Sequence, residues 1–236
     1  MRPVISNSWE TFEFGCIGRI TLKTNSERNN TCPALGTHRS FHDDEERRRW
    51  QNPEEILSTI GVKAGSVFMD IGCGSGFFTI PAARIIGNHG KVYALDMSRD
   101  AVALLKERAV VEGLRNIVAE DRIFCEACAD IVFFGIVLHD FNDPDKVLLN
   151  AGKMLKPVGR LVDLDWKKEP MQLGPPLDVR FSEEQAIGLI RGDGFQIDSV
   201  DDSGLYHYLV VATHRQVASS KTLSSGPSSS PSVIEP

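Results

Sequence analysis

The segment VFMDIGCGSGFF, Val67 to Phe78, restricts this chain more than any other. An apolar run with strand character ends in Asp70, glycines fall at 72, 74 and 76, and apolar residues then resume at helical spacing. A strand that turns through glycines into a helix bends sharply and leaves its backbone bare to a nucleotide-like ligand. The helix start behind the turn offers unpaired amide donors. The spacing is G-x-G-x-G, with Phe77 directly after Gly76, and differs from the G-x-G-x-x-G of dinucleotide folds. A second strand-like run, KVYALDMS (Lys91–Ser98), ends in Asp96. An acid about twenty residues after the glycines, at the tip of the second strand, is placed to grip a ribose diol.

Strand and helix patterns alternate through the middle of the chain. Strands are expected at 67–71, 91–96, 116–119, 130–135, 159–165, 195–200 and 207–213. Helices are expected at 76–86, 98–113, 143–155 and 182–193, with an earlier helix starting at Pro53 under an Asn52 cap. This order predicts an α/β fold, a mostly parallel sheet covered on both faces. The last two strands have no room for a helix between them and should form an antiparallel hairpin at one edge.

These pieces resemble the class I S-adenosylmethionine-dependent methyltransferases. The resemblance is carried by the glycine segment, by KVYALDMS, by CADIVFFGIVLHDFNDP (Cys128–Pro144) and by VLLNAGKMLKPVGRLVDLDW (Val147–Trp166), in that order. It extends from Phe41 to His214, and within the family it is nearest to small-molecule methyltransferases related to ubiquinone and menaquinone biosynthesis enzymes. It implies a Rossmann-like seven-stranded sheet in the order 3-2-1-4-5-7-6 and S-adenosyl-L-methionine as cofactor.

The resemblance also implies site residues. Asp70 would contact the methionine amino group, or else cap the loop amides. Gly72, Cys73, Gly74, Gly76 and Phe77 would form the cofactor loop. Asp96 would accept from both ribose hydroxyls, with Ser98 free to cap the following helix. Met97 would pack on the adenine or serve as core filler. Glu120 and Asp121 are both candidates for the adenine amino group, in a stretch shorter than the family usually has. Gly135 would let the backbone approach the ligand. His139 and Asp140 would face the acceptor, His139 as a general base or as a hydrogen-bonded structural histidine. Trp50, on the helix used as a lid, would touch ligand or core. Asp163 and Asp165 alternate along one strand with Trp166 opposite, and Asp163 would need a partner.

Composition narrows the function. The chain has 236 residues, 42% hydrophobic, enough for one domain with a sizeable core. Its net charge of −6 and lack of a basic face argue against nucleic acid. No run of about eighteen apolar residues predicts a membrane span, and no signal peptide is recognisable at the start. The five cysteines at positions 16, 32, 73, 125 and 128 form no framework and no metal site, and reduced thiols in a cytoplasm are expected. Residues 1–40 are expected to be a poorly ordered extension, 41–215 the domain, and 216–236 a disordered Ser/Pro-rich tail.

The reading is therefore methyl transfer to a small-molecule acceptor. A non-catalytic cofactor-binding or scaffold member of the fold, and an NAD-dependent oxidoreductase, are the alternatives. The sequence does not reveal the oligomeric state.

Overall fold

The computed structural model of the protein describes residues 41–123, 125–202 and 204–215. The two ends expected to lack order lie outside these residues. Two short helices, α1 (Phe41–Arg48) and α2 (Pro53–Thr59), precede the sheet. There follow β1 (Val67–Ile71), α3 (Thr79–Ile86), β2 (Lys91–Leu95), α4 (Arg99–Val111), β3 (Ile117–Glu120), β4 (Ala129–Gly135), α5 (Pro144–Met154), β5 (Leu155–Trp166), α6 (Glu183–Gly192), β6 (Phe195–Asp201) and β7 (His207–His214).

The seven strands form one sheet in the order 3-2-1-4-5-7-6. Strands β1 to β5 pair in parallel, and β7 lies antiparallel between β5 and β6. The expected topology and terminal hairpin are thus present. Among the described residues no helix is long and apolar enough to cross a membrane.

Burial on both faces explains the continuous apolar strands. Neighbours Phe68 and Met69 are both fully buried, and alternation sends them to opposite faces. Phe68 joins Phe133, Val162 and Leu164 against Leu57 of α2 and Ala82 and Ile86 of α3. Met69 joins Val132, Phe134 and Leu161 against Val147 and Ala151 of α5 and Ala186 and Ile190 of α6. Burying each large side chain contributes about 1.5–3 kcal/mol. Helix α4 closes a third cluster through Val102, Leu105 and Ala109.

Local signals set the helix starts. Asn52 caps α2 by accepting from the Glu55 amide, with Pro53 first in the helix. Ser98 caps α4 and Asp143 caps α5. Ser182 and Gln185 make a reciprocal capping box on α6. Helix α3 starts at Thr79, later than the pattern predicts, because Gly76 sits at φ +96° and prolongs the turn. Strand β5 starts at Leu155, earlier than predicted, because Leu155 already pairs with Ala129 across an irregularity in register.

Asn116 fixes α3 to the sheet. Its buried Nδ2 donates to the carbonyls of Ala83 at 2.8 Å and Gly87 at 2.9 Å, at the end of α3. Asn116→Ala removes both bonds, while the carbonyls of Ala83 and Gly87 keep the backbone donors of Gly87 and Gly90, and should cost about 1–3 kcal/mol. Urea denaturation measures this, and an unchanged midpoint would show that the clamp carries no stability.

The cysteines correct one expectation. Cys125 and Cys128 are joined in a disulfide, where reduced thiols were expected. The tight turn between them, with Ala127 at φ +47°, brings their Cα atoms to 5.8 Å. Cys73 is free and buried. Among the described residues no His, Cys, Asp or Glu group is arranged to hold a metal ion.

Candidate functional site

The carboxyl ends of the parallel strands meet at a cleft of about 600 Å³. The size suits a small-molecule ligand. The glycine turn after β1, the tip of β2 and the end of β4 form its floor, and α1 and α4 form its walls.

Asp96 organises the turn. Its Oδ2 accepts from the Gly74 amide at 2.8 Å and its Oδ1 from the Ser98 amide at 2.9 Å. Each carboxylate oxygen has a second lone pair, so the group can still accept two hydroxyls from the cleft it lines. The amides of Gly72 and Cys73 both donate to the Leu95 carbonyl, which ties the turn to β2.

The three glycines differ in what replaces their missing side chains. A Cβ on Gly72 would lie 2.5 Å from Val137, and one on Gly76 2.5 Å from Leu105. Those two positions are bare because the core fills them. At Gly74, φ +53°, a Cβ would meet no protein atom within 4 Å, and the residue lines the cleft. The open space over Gly74 is where a ligand can lie directly on the backbone. Gly135 also lines the cleft, but its bare position is filled by the rings of Phe133 and Phe78 rather than reserved for a ligand.

Asp70 is 2% exposed and accepts from Thr79 Oγ1 at 2.6 Å. Burial raises its pKa to about 7; Asp96 nearby adds to the rise, while the Thr79 hydrogen bond and Arg47 oppose it. A cation placed beside it in the cleft would favour the ionised form.

Helix α1 is pinned over the turn. Asp44 pairs with Arg108 of α4 at 2.9 Å, and Arg108 also donates to the Ser75 carbonyl at 2.8 Å. The Arg47 guanidinium lies 3.9 Å from the centroid of the Phe77 ring. Among the described residues the cleft lining holds five acids, Asp44, Asp70, Asp96, Asp100 and Glu107, against one arginine, Arg47. Such a cleft suits a cationic ligand and disfavours a pyrophosphate.

Of the residues expected at the site, Asp70, Gly72, Cys73, Gly74, Phe77, Asp96 and Gly135 line the cleft. Gly76 packs behind it. Met97, Glu120 and Asp121 are not in the wall. Met97 is 40% exposed, Glu120 pairs with Lys106 at 3.0 Å, and Asp121 pairs with Arg99 at 3.4 Å. These side chains lie where β2 and β3 run out to solvent.

His139 and Asp140 are also outside the lining. They sit in a 3-10 turn, Leu138–Asp140, that directs the His139 ring inward, where it is 3% exposed. Its Nδ1 lies 2.8 Å from Asp165 Oδ1, and its Nε2 lies 3.7 Å from Asp140 Oδ1. Asp165 further accepts from the backbone amides of His139 and Trp166. Asp163 is fully buried, and neither of its oxygens has a hydrogen-bond partner among the described residues, contrary to the expectation of one. Burial, and then Asp165, push its pKa far up.

The structure adds residues that sequence reasoning missed. Asp100, Ala103, Leu104 and Glu107 line the cleft from α4. Their i, i+3, i+4, i+7 spacing was a legible signal of one helical face. Ile136 lines the cleft at φ +63°, a left-handed conformation that a β-branched residue rarely adopts. Its amide donates to the Leu164 carbonyl at 2.7 Å. Such strain marks functional turns, and nothing in the sequence announces it.

Comparison with known proteins places these features. The model of a methyltransferase domain matches residues 62–185. A ubiquinone/menaquinone biosynthesis C-methyltransferase of Marinomonas is 27% identical over 132 residues, 53% of this chain and 52% of that protein. A demethylmenaquinone methyltransferase of Bacillus mycoides is 29% identical over 126 residues, 51% of this chain and 53% of that protein. The chain thus spans about half the length of these relatives. The crystal structure of an S-adenosylmethionine-dependent methyltransferase from Aquifex aeolicus superimposes with a TM-score of 0.69 at 29% identity, covering 72% of this chain and 94% of that one.

Proposed function

We propose that this chain, which belongs to the methyltransferase domain family, moves a methyl group from S-adenosylmethionine to a small-molecule acceptor. The observation that carries the reading is the convergence on one acid-lined cleft of the Asp96 carboxylate, buried Asp70 and the open backbone at Gly74. These groups fit the cofactor. Asp96 would accept from the ribose hydroxyls, ionised Asp70 would face the ammonium, and Gly74 would leave room for the chain between them.

S-adenosylmethionine supplies a methyl carbon on a sulfonium that leaves readily. The protein supplies position and shelter. Asp96 fixes the turn and holds the ribose, and the acids favour a cationic ligand over its neutral product. Helix α1, held by Asp44–Arg108 and by Arg47 on Phe77, forms one wall beside the glycine turn. His139 is assigned to positioning: anchored on Asp165, it fixes the 3-10 turn that follows strained Ile136. The acidic lining disfavours the oxidoreductase alternative.

The test is calorimetric titration with S-adenosylhomocysteine, which keeps the ammonium, and with NAD. Asp70 stays protonated up to about pH 7, so affinity for the ammonium should rise as pH is raised through 7 and level off above. The gain is at most about tenfold per pH unit. Asp70→Asn should remove this dependence. The same shift makes Asp70 lower the stability of the ligand-free protein as pH rises from about 4 to 7, because the folded state holds a proton the unfolded chain has lost. Tighter binding of NAD than of S-adenosylhomocysteine would refute the reading.

A further inference from the structure

The bridge between Cys125 and Cys128 lies away from the cleft. Cys128 directly precedes β4, so the pair sits at the amino ends of the parallel strands. The cleft lies at their carboxyl ends. The methyl-transfer reading uses neither sulfur.

The bridge joins residues three apart in sequence. A disulfide stabilises most when it closes a long stretch of chain, and one across three residues restrains little. The turn is also fixed by bonds that do not involve sulfur. The Ala127 amide donates to the Lys153 carbonyl and the Cys128 amide to the Met154 carbonyl, both at 2.9 Å. Ala129 then pairs with Leu155. These contacts tie the turn to the end of α5 and support Ala127 at φ +47°, a conformation that an L-residue adopts at a cost. The two cysteine Cα atoms stand 5.8 Å apart on this backbone, within the span of a disulfide.

Burial sets the access. Both cysteines are partly buried and pack on one side against the core that α5 and α6 cover. Glu126 and Ala127, between them, are exposed. The pair thus lies at the border of core and solvent, where a small thiol can reach it. Cys73, the other cysteine among the described residues, is buried and lines the cleft.

We propose that Cys125 and Cys128 form a thiol–disulfide exchange site whose substrates are a low-molecular-weight thiol and the corresponding disulfide. In the reducing direction the thiolate of the small thiol attacks one sulfur, the Cys125–Cys128 bond breaks, and the other sulfur leaves as a thiolate that takes up a proton. A second small thiolate then attacks the mixed disulfide. It leaves as the small disulfide and releases the remaining cysteine, which is protonated in turn. Two small thiols are oxidised, one protein disulfide is reduced, and two electrons and two protons pass to the pair. The reverse steps close the bridge again, and the anchored turn keeps the two thiols adjacent so that closure is intramolecular. The site is independent of the methyl-transfer reading, and its test needs neither cofactor nor acceptor.

The test equilibrates the full chain in buffers of reduced or oxidised glutathione, quenches it with N-ethylmaleimide and maps the label by peptide mass spectrometry. In oxidised glutathione Cys125 and Cys128 should be closed and unlabelled. Excess reduced glutathione should open them and add one maleimide to each, and return to oxidised glutathione should abolish that labelling. Buried Cys73 should stay unlabelled throughout, which shows that the fold persists. Cys125→Ser leaves Cys128 without its partner, so oxidised glutathione should load one glutathione onto Cys128, a mixed disulfide that the parent does not accumulate. A parent pair that stays closed in excess reduced glutathione would make the bridge a structural staple and overturn the proposal. Equal labelling in both buffers would overturn it by showing that no bridge forms, and so would a Cys125→Ser protein that takes up no glutathione.

Discussion

Gly74→Val is expected to lower S-adenosylhomocysteine affinity by about a hundredfold, the equivalent of losing two hydrogen bonds, while the protein remains folded. The new side chain meets no protein atom near its Cβ and so projects into the cleft, over the stretch of backbone a ligand would lie on. Holding φ near +53° costs an L-residue about 1–2 kcal/mol, which a domain of this size tolerates. Gly76→Val should do the opposite. Its Cβ would stand 2.5 Å from Leu105 and 3.2 Å from Ile80 at φ +96°, so stability should fall first and binding only as a consequence. Thermal unfolding and calorimetry on both variants separate a ligand glycine from packing glycines. A Gly74→Val protein that binds like the parent would place the ligand elsewhere.

Much of the fold was legible because its signals are local. Asn52–Pro53, Ser98 and Asp143 cap their helices through side chains close in sequence. The all-apolar strands report burial on both faces. The glycine turn and Asp96 were legible for the same reason: a strand tip and the turn beside it need those residue types whatever surrounds them. Gly135 was legible as special, but the rings that need the space come from Phe133 and Phe78, and that packing appears only once α3 is laid on β4.

Residues whose position depends on distant packing could not be read. The sequence leaves His139 open between a base facing the acceptor and a hydrogen-bonded structural histidine, because it follows a strand end among apolar residues. The 3-10 turn rotates it onto Asp165, twenty-six residues away. Met97, Glu120 and Asp121 follow strand tips as expected, but solvent and the cations of α4 claim them. The strain at Ile136 has no sequence signature, since isoleucine is among the residues least suited to it. The ring cluster of Trp50, Trp166 and His207 joins the turn after α1, the end of β5 and the start of β7, three segments with no spacing in common.

The central claim is that Asp96 and the glycine turn hold the ribose of S-adenosylmethionine. It is tested most directly by calorimetric titration of the parent and of Asp96→Ala with S-adenosylhomocysteine. Asp96 sits at a strand tip, and among the described residues its carboxylate accepts only the amides of Gly74 and Ser98, so the variant should fold. Removing it takes away charged hydrogen bonds to the ribose and loosens the Gly74 amide. The expected loss is about 2–3 kcal/mol, roughly thirty- to a hundred-and-fifty-fold in affinity. A folded Asp96→Ala protein that binds S-adenosylhomocysteine as tightly as the parent would contradict the account.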